Sequence, residues 1–493
     1  MPTFSRRRFI QLGATSLAAC SSSAILTGCS DGSDGNGFAI LNKPALPQDE
    51  QGRWWLSNNY APVLEERDEV GLKVSGEIPR ALNGLFARAG SNMADTDHWF
   101  LGHGMLHGIR LEDGRAAWYR NRYVHTSLRE AGIDELMPTE PTSSYSNVSS
   151  VYHAGRFLTL GELGLPYQVN PDDLSTVGVY DFAGRLNGSM TAHPKIDAVT
   201  GEMLFFGYSF APPYLTYYQA NAAGELVRSV DITLPAAPMM HDFAVTEDYI
   251  IFYDLPVLFN LDMAISGSNF PFAWSPDHVP RMGIMPRQGG DSDVRWFEVQ
   301  SGFIFHTMNA YQDPANPSRI ILDASRIDSP FWDNGNQDLA QPSHLTRYQF
   351  DLDAGTVSEQ RLSDAFLDFG QLDRRLVGRP YRYGYAMEFS ASGSAPALPR
   401  PTSIVQRDHQ LGTLERFQAA PGLALDEAIF VADPQRQGER DGWLLCYTFD
   451  EVSCMSSLLI IEAGDVAAAP VAKVDLPLRV PYGFHSVWVP DAT

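Results

Sequence analysis

Between residues 156 and 461 the chain keeps returning to one pattern: a short apolar run, a turn signal, then another short run. Such runs lie at 156–160, 203–208, 249–253, 319–323, 443–447 and 457–461, and they are rich in Ile, Leu, Phe and Tyr. Each is too short for a stable helix, and runs of this length bounded by Gly, Pro, Asp and Asn read as strands. Turn signals stand between such runs at Glu112-Asp113-Gly114, at 197–201 and at 351–355, each ending in Gly. So long a cadence exceeds one sandwich and predicts an all-β propeller of six to eight blades. No clean sequence repeat marks the blades, so self-similarity does not set their number.

Two stretches depart from the pattern. Residues 127–141 are mixed in character and predict a short helix within a loop. Residues 259–286 form a long insertion carrying Met263, Phe270, Phe272, Trp274 and Met282. A long apolar insertion between strands covers or binds something, or folds back on the propeller edge.

The first residues are set apart. Arg6-Arg7-Arg8-Phe9-Ile10 precedes an uncharged, small and apolar stretch, which reads as a twin-arginine export signal over residues 1–28. Leu26-Thr27-Gly28-Cys29 resembles a lipobox, with Cys29 as a lipidated first residue of the mature chain; cleavage nearby without a lipid is the alternative. Residues 29–50, rich in Gly, Ser and Asp at their start, are expected to be a flexible tether. Residues 51–493 are then expected to be a single propeller domain, exported to the periplasm or lipid-anchored to a bacterial membrane. No later segment is long and apolar enough to span a bilayer.

The formal net charge is −23, and the leader removes three positive charges. That balance argues against nucleic acid and anionic lipid as partners, and suits a neutral or apolar ligand. Cys446 and Cys454 remain after the leader; an oxidising compartment permits their pairing, and a chain of this length does not need it.

Twelve histidines are scattered along the chain, and spacing selects none of them as a metal set. Their contexts do more. Asn83-Gly84-Leu85-Phe86-Ala87-Arg88-Ala89-Gly90-Ser91-Asn92, His98-Trp99-Phe100 and Gly104-Met105-Leu106-His107 come first. Ala192-His193-Pro194, Met240-His241-Asp242-Phe243, Phe305-His306-Thr307-Met308-Asn309 and Tyr482-Gly483-Phe484-His485-Ser486 follow in order. With Arg382-Tyr383-Gly384-Tyr385 and Asp441-Gly442-Trp443-Leu444-Leu445, this ordered set resembles the carotenoid cleavage oxygenases, a family that includes lignostilbene dioxygenases.

The resemblance implies a seven-bladed propeller with a loop and short-helix cap over an axial Fe(II), bound by His193, His241, His306 and His485. Four neutral imidazoles suit Fe(II), Zn, Cu or Ni better than the hard ions Mg and Ca. It also implies that three ligands are oriented by carboxylates, matched by Glu162, Asp368 and Glu427. Asp368 stands where the family has Glu, so it is expected to reach its histidine only through water or a small backbone shift. His98, His103 and His107 lie together in sequence, but the resemblance assigns no metal to them.

The implied reaction is cleavage of a C=C bond by dioxygen, with a carotenoid, apocarotenoid or stilbenoid as the apolar or aromatic alkene. Compartment alone leans toward phenolic stilbenoids. Expected tunnel walls are Phe303, Phe305 and Phe484 beside the ligands, with Phe272 and Trp274 from the insertion. Rival readings are a non-oxygenative isomerase or hydrolase of the same family, a propeller hydrolase with another metal, and a metal-free ligand-binding propeller.

Overall fold

Seven sheets of four or five antiparallel strands account for nearly all the regular structure. The computed structural model describes residues 45–134, 140–268, 270–328, 332–333, 336–337, 341–390 and 400–491. The export signal at 1–28, Cys29 and most of the tether at 29–50 lie outside the described residues. Lys43–Thr493 is one compact unit. Its described part begins a little before residue 51, where Leu46 packs on the Tyr60 and Tyr482 cluster.

The sheets follow one another along the chain as blades. Blade 2 runs from Ser149–His153 to Thr176–Val179, blade 3 from Lys195–Ile196 to Leu226–Ile232, and blade 4 from Ala244–Val245 to Arg295–Glu298. Blade 5 runs from Phe303–Asp313 to Thr356–Arg361, and blade 6 from Leu367–Gln371 to Thr413–Gln418. The first strands of blades 4 to 7 contact their neighbours in series, which places them innermost around a common axis.

Blades 1 and 7 close the ring by borrowing strands from opposite ends of the chain. Ser486–Pro490 pairs with Gly84–Ser91 of blade 1, and Lys73–Gly76 pairs with Ala472–Asp475 of blade 7. Closure removes the open sheet edges that an unclosed array would expose.

Burial explains the run pattern. Second strands such as Met203–Tyr208 are buried at every position because both faces pack against neighbouring blades. Outer strands such as Leu226–Ile232 and Thr356–Arg361 alternate, with one face in water. The turns also form as expected: Gly114, Gly201 and Gly355 all have positive φ.

The helix expected within 127–141 is Ser127–Ala131, capped by the Thr126 hydroxyl accepting from the Arg129 N–H and ended by Gly132 in the left-handed region. Residues 135–139 lie outside the described part. The insertion is shorter than the sequence suggests. Val257–Phe259 pairs with Phe272–Trp274 around the short helix Leu261–Ile265, but Arg281–Pro286 is the third strand of blade 4. Met282 is therefore core. Cys446 and Cys454 are buried free thiols, and Cys446 donates to the Asp426 carbonyl.

Leu85 sits opposite Val489 in the closing ladder and is fully buried. Leu85→Ala should cost about 2–5 kcal/mol, read from the urea midpoint of the purified chain. A change near zero would show that closure does not depend on packing at this pair.

Candidate metal centre and its two cavities

Four innermost strands deliver four imidazoles to one point. His193 precedes Lys195–Ile196, His241 precedes Ala244–Val245, His306 lies inside Phe303–Asp313, and His485 directly precedes Ser486–Pro490. Their ligand nitrogens all lie within 4.8 Å of one another, and all four residues are buried or nearly so. His193 Nε2 and His241 Nε2 are 2.9 Å apart, and His306 Nε2 and His485 Nε2 are 3.2 Å apart.

A carboxylate holds the far nitrogen of three rings. His241 Nδ1 is 2.8 Å from Glu162, His306 Nδ1 is 2.8 Å from Asp368, and His485 Nδ1 is 3.1 Å from Glu427. Each acid is itself tied down. Tyr208 donates its hydroxyl to Glu162, the Phe369 N–H donates to Asp368, and Gln371 and the Ser486 N–H donate to Glu427.

Local backbone irregularity aims these groups at the axis. The strand register shifts between Ile304 and Thr307, between Asp368 and Gln371, and between Leu425 and Ala428. Those bulges flank His306, Asp368 and Glu427, and a bulge re-aims a side chain that regular pleating would send elsewhere.

The arrangement fits a metal. When Nδ1–H of His306 and His485 is given to a carboxylate, the two Nε2 lone pairs face each other, and only a shared cation makes that contact favourable. Two nitrogens bound at about 2.1 Å and about 90° from each other would stand about 3.0 Å apart. The observed separations bracket that value. Burial, with the neighbouring imidazoles, holds His193 well below the usual histidine pKa, and burial lowers His485 against the opposing pull of Glu427. Burial also pulls His306 down, but Asp368, joined by Asp242 and Glu427, raises that ring overall.

The rings separate two cavities. The first, of about 570 Å³, reaches His241, His306 and His485 and is walled by Trp99, Phe100, Phe270, Phe272, Phe305 and Phe484, among others. The cap expected from sequence forms part of it, through the insertion hairpin and its short helix. The second, of about 400 Å³, reaches His193, His306 and His485 between the innermost strands.

The structure thus brings together all seven residues expected at the metal, and corrects several details. Asp368 needs no water: it bonds His306 directly, from within a strand bulge, so of the two expected routes the backbone irregularity is the one present. Of the expected walls, Phe305, Phe484 and Phe272 line the first cavity. Phe303 and Trp274 do not: Phe303 is buried in the core of blades 4 and 5, and Trp274 packs against that core.

Sequence reading missed Phe369. It is a non-glycine residue with φ +56°; its ring stacks on His306 at 4.7 Å and lies tilted against His485 at 5.3 Å. Gly370 follows because a Cβ there would come within 2.9 Å of the Met308 backbone. Tyr208 and Gln371 were also missed; nothing in their local sequence signals that they hold carboxylates. Trp99 and Phe100 carried a signal, the His98-Trp99-Phe100 motif, and their rings lie 4.6 and 5.6 Å from Phe484. Nearby, His107 bonds the Tyr119 hydroxyl, His103 approaches Asp134, and His98 Nδ1 accepts from the Phe100 N–H.

An all-β seven-bladed propeller with an axial four-histidine site, opening onto an aromatic cavity, defines a class of propeller metalloenzyme scaffold. Residues 60–490 match the family model described as RPE65, retinal pigment epithelial membrane protein. A carotenoid cleavage oxygenase of Mycobacterium tuberculosis is 33% identical, over 88% of this chain and 97% of that protein. Carotenoid 9,10(9',10')-cleavage dioxygenase 1 of Phaseolus vulgaris is also 33% identical, over 89% of each. Among solved structures, the Pseudomonas brassicacearum lignostilbene dioxygenase superposes with a TM-score of 0.82 at 26% identity, covering 91% of this chain and all of that one. Cobalt-substituted Synechocystis apocarotenoid oxygenase superposes at 0.77 with 27% identity, covering 88% and 98%. The chain belongs to the RPE65 and carotenoid cleavage oxygenase family.

Because Asp368 already meets His306 directly, a longer arm has no gap to fill. Asp368→Glu should leave metal affinity unchanged or lower it, while Asp368→Asn should weaken it by about 10–100-fold. Competition against a chelator measures both; tighter binding by the Glu variant would show that the short arm is a defect.

Proposed function

We propose that this chain is a non-haem Fe(II)-dependent dioxygenase that cleaves a C=C bond of a carotenoid, apocarotenoid or stilbenoid to two carbonyl products. The observation that carries the reading is three carboxylate-anchored imidazoles and a fourth beside them, opening directly onto an aromatic cavity. His193, His241, His306 and His485 are the proposed ligands, with Glu162, Asp368 and Glu427 fixing three of them. The names of the relatives point the same way, since they act on carotenoids, apocarotenoids or lignostilbene.

Bound Fe(II) would supply dioxygen activation at this point. The chain's own contribution is placement. Phe305 lies 5.5 Å from His241, and Phe369 stacks on His306, so the walls beside the metal are flat and apolar. They can hold a conjugated segment in register with the metal and keep bulk water away. Polar groups lining the cavity beside the rings are engaged: Glu162 with His241 and Tyr208, Asp368 with His306, Glu427 with His485 and Gln371, and Asn147 with the Phe100 and Gly102 carbonyls. A hydroxyl next to the metal would compete with bonds already made, which supports a hydrocarbon segment there. In this reading the enzyme is exported by the twin-arginine route, with a lipid on Cys29 holding it at a bacterial membrane.

The test is aerobic incubation of iron-loaded protein with a panel of stilbenes and apocarotenals under ¹⁸O₂. Two carbonyl products carrying the label are expected. Products with label only from H₂¹⁸O would place the chain with isomerase or hydrolase chemistry, and no conversion of any panel member sinks the oxygenase reading. His241→Ala should lose bound iron and cleavage together while keeping the wild-type circular dichroism. Retained activity in that variant would contradict the metal assignment.

A further inference from the structure

The second cavity differs in charge from the protein around it. The chain as a whole carries −23. The groups lining this axial channel include three cations, Lys195, Arg374 and Arg375, against two carboxylates, Asp242 and Glu427.

Both carboxylates are already satisfied. Asp242 takes Lys195 at 2.6 Å and the N–H groups of Phe243 and Thr307 at 2.8 Å. Glu427 takes His485, Gln371 and the Ser486 N–H. Arg375 is paired with Asp373 at 2.6 Å, leaving Arg374 over. It begins the turn Arg374–Leu376, directly after the innermost strand of blade 6. Among the described residues no hydrogen bond or ion pair meets its guanidinium, and the side chain stands open to the channel. A cation that meets no partner among the described residues and has free volume beside it can take an anion from solution.

We propose that the axial channel on the His193 side binds a small monocarboxylate through Arg374. A guanidinium presents two parallel N–H groups that match the two oxygens of a carboxylate, which favours this anion over a spherical halide. The channel admits a molecule of acetate size, and the ligand lies on the opposite side of the four imidazoles from the aromatic cavity. The site requires no iron and no alkene, so its fate is independent of the oxygenase reading.

The test uses metal-loaded crystals of the mature chain soaked in bromide, whose anomalous signal marks anions, with and without acetate. A bromide peak should lie against Arg374, vanish when acetate is added, and be replaced there by a planar acetate. It should be absent in Arg374→Gln and retained in Arg374→Lys, with the four-histidine geometry unchanged in each. If Arg374→Gln does not fold, the wild-type displacement and the Lys variant still decide the matter. No peak in the channel, a peak that survives Arg374→Gln, or bromide that acetate fails to displace each overturns the proposal.

Discussion

Closing the ring and completing the metal site are one event, because His485 is the residue immediately before the closing strand. Its backbone N–H donates to the Val148 carbonyl of the segment entering blade 2, and its carbonyl accepts from Ala89 of blade 1. Its imidazole meets Glu427 of blade 7, whose other oxygen takes the Ser486 N–H. Three blades therefore meet at one histidine. Arg88, fully buried in blade 1, pairs with Asp426 next to Glu427 and accounts for a second charged link across the same seam. Gly483 permits the approach, since a Cβ there would fall 2.6 Å from the Arg88 guanidinium carbon. A propeller whose last strand detached would lose a ligand and expose the edge of Gly84–Ser91.

The site shows how a regular fold produces an irregular target. Antiparallel pleating sends alternate side chains to opposite faces, and convergence on an axis needs departures from that alternation. The register shifts beside His306, Asp368 and Glu427 supply them. At Asp368 the bulge also resolves what looks like a deficiency in the sequence. The carboxylate is one methylene shorter than the family's glutamate, yet it bonds His306 at 2.8 Å. Phe369, held at positive φ by the same bulge, lays its ring on that histidine. Strain at one residue thus serves both the length of the arm and the packing of the ligand.

The four imidazoles sit at a boundary between two chemistries. On one side aromatic rings from blade 1 and from the insertion make a cavity suited to flat apolar molecules. On the other, the innermost strands expose serine, asparagine and charged side chains. The same four-histidine centre therefore meets an apolar cavity and a more polar one, the first reaching His241 and the second His193. The insertion contributes only to the apolar side, which accounts for its run of Phe259, Phe270 and Phe272.

The sequence by itself determined the architecture and the list of groups. Strands at 156–160 and 203–208 fall where the apolar runs predict, because a strand buried on both faces must be apolar throughout. The histidines and carboxylates were legible through the segments around them, since motifs preserve local context even when spacing carries no information. Tertiary structure alone decided what those groups do to one another. His193 and His241 are 48 residues apart and His306 and His485 are 179 apart, so only ring closure sets their separations of 2.9 and 3.2 Å. The direct reach of Asp368, the stacking of Phe369 and the exclusion of Phe303 and Trp274 from the cavity likewise depend on contacts between blades. No local pattern encodes them, because each arises where strands distant in sequence are packed against a common axis.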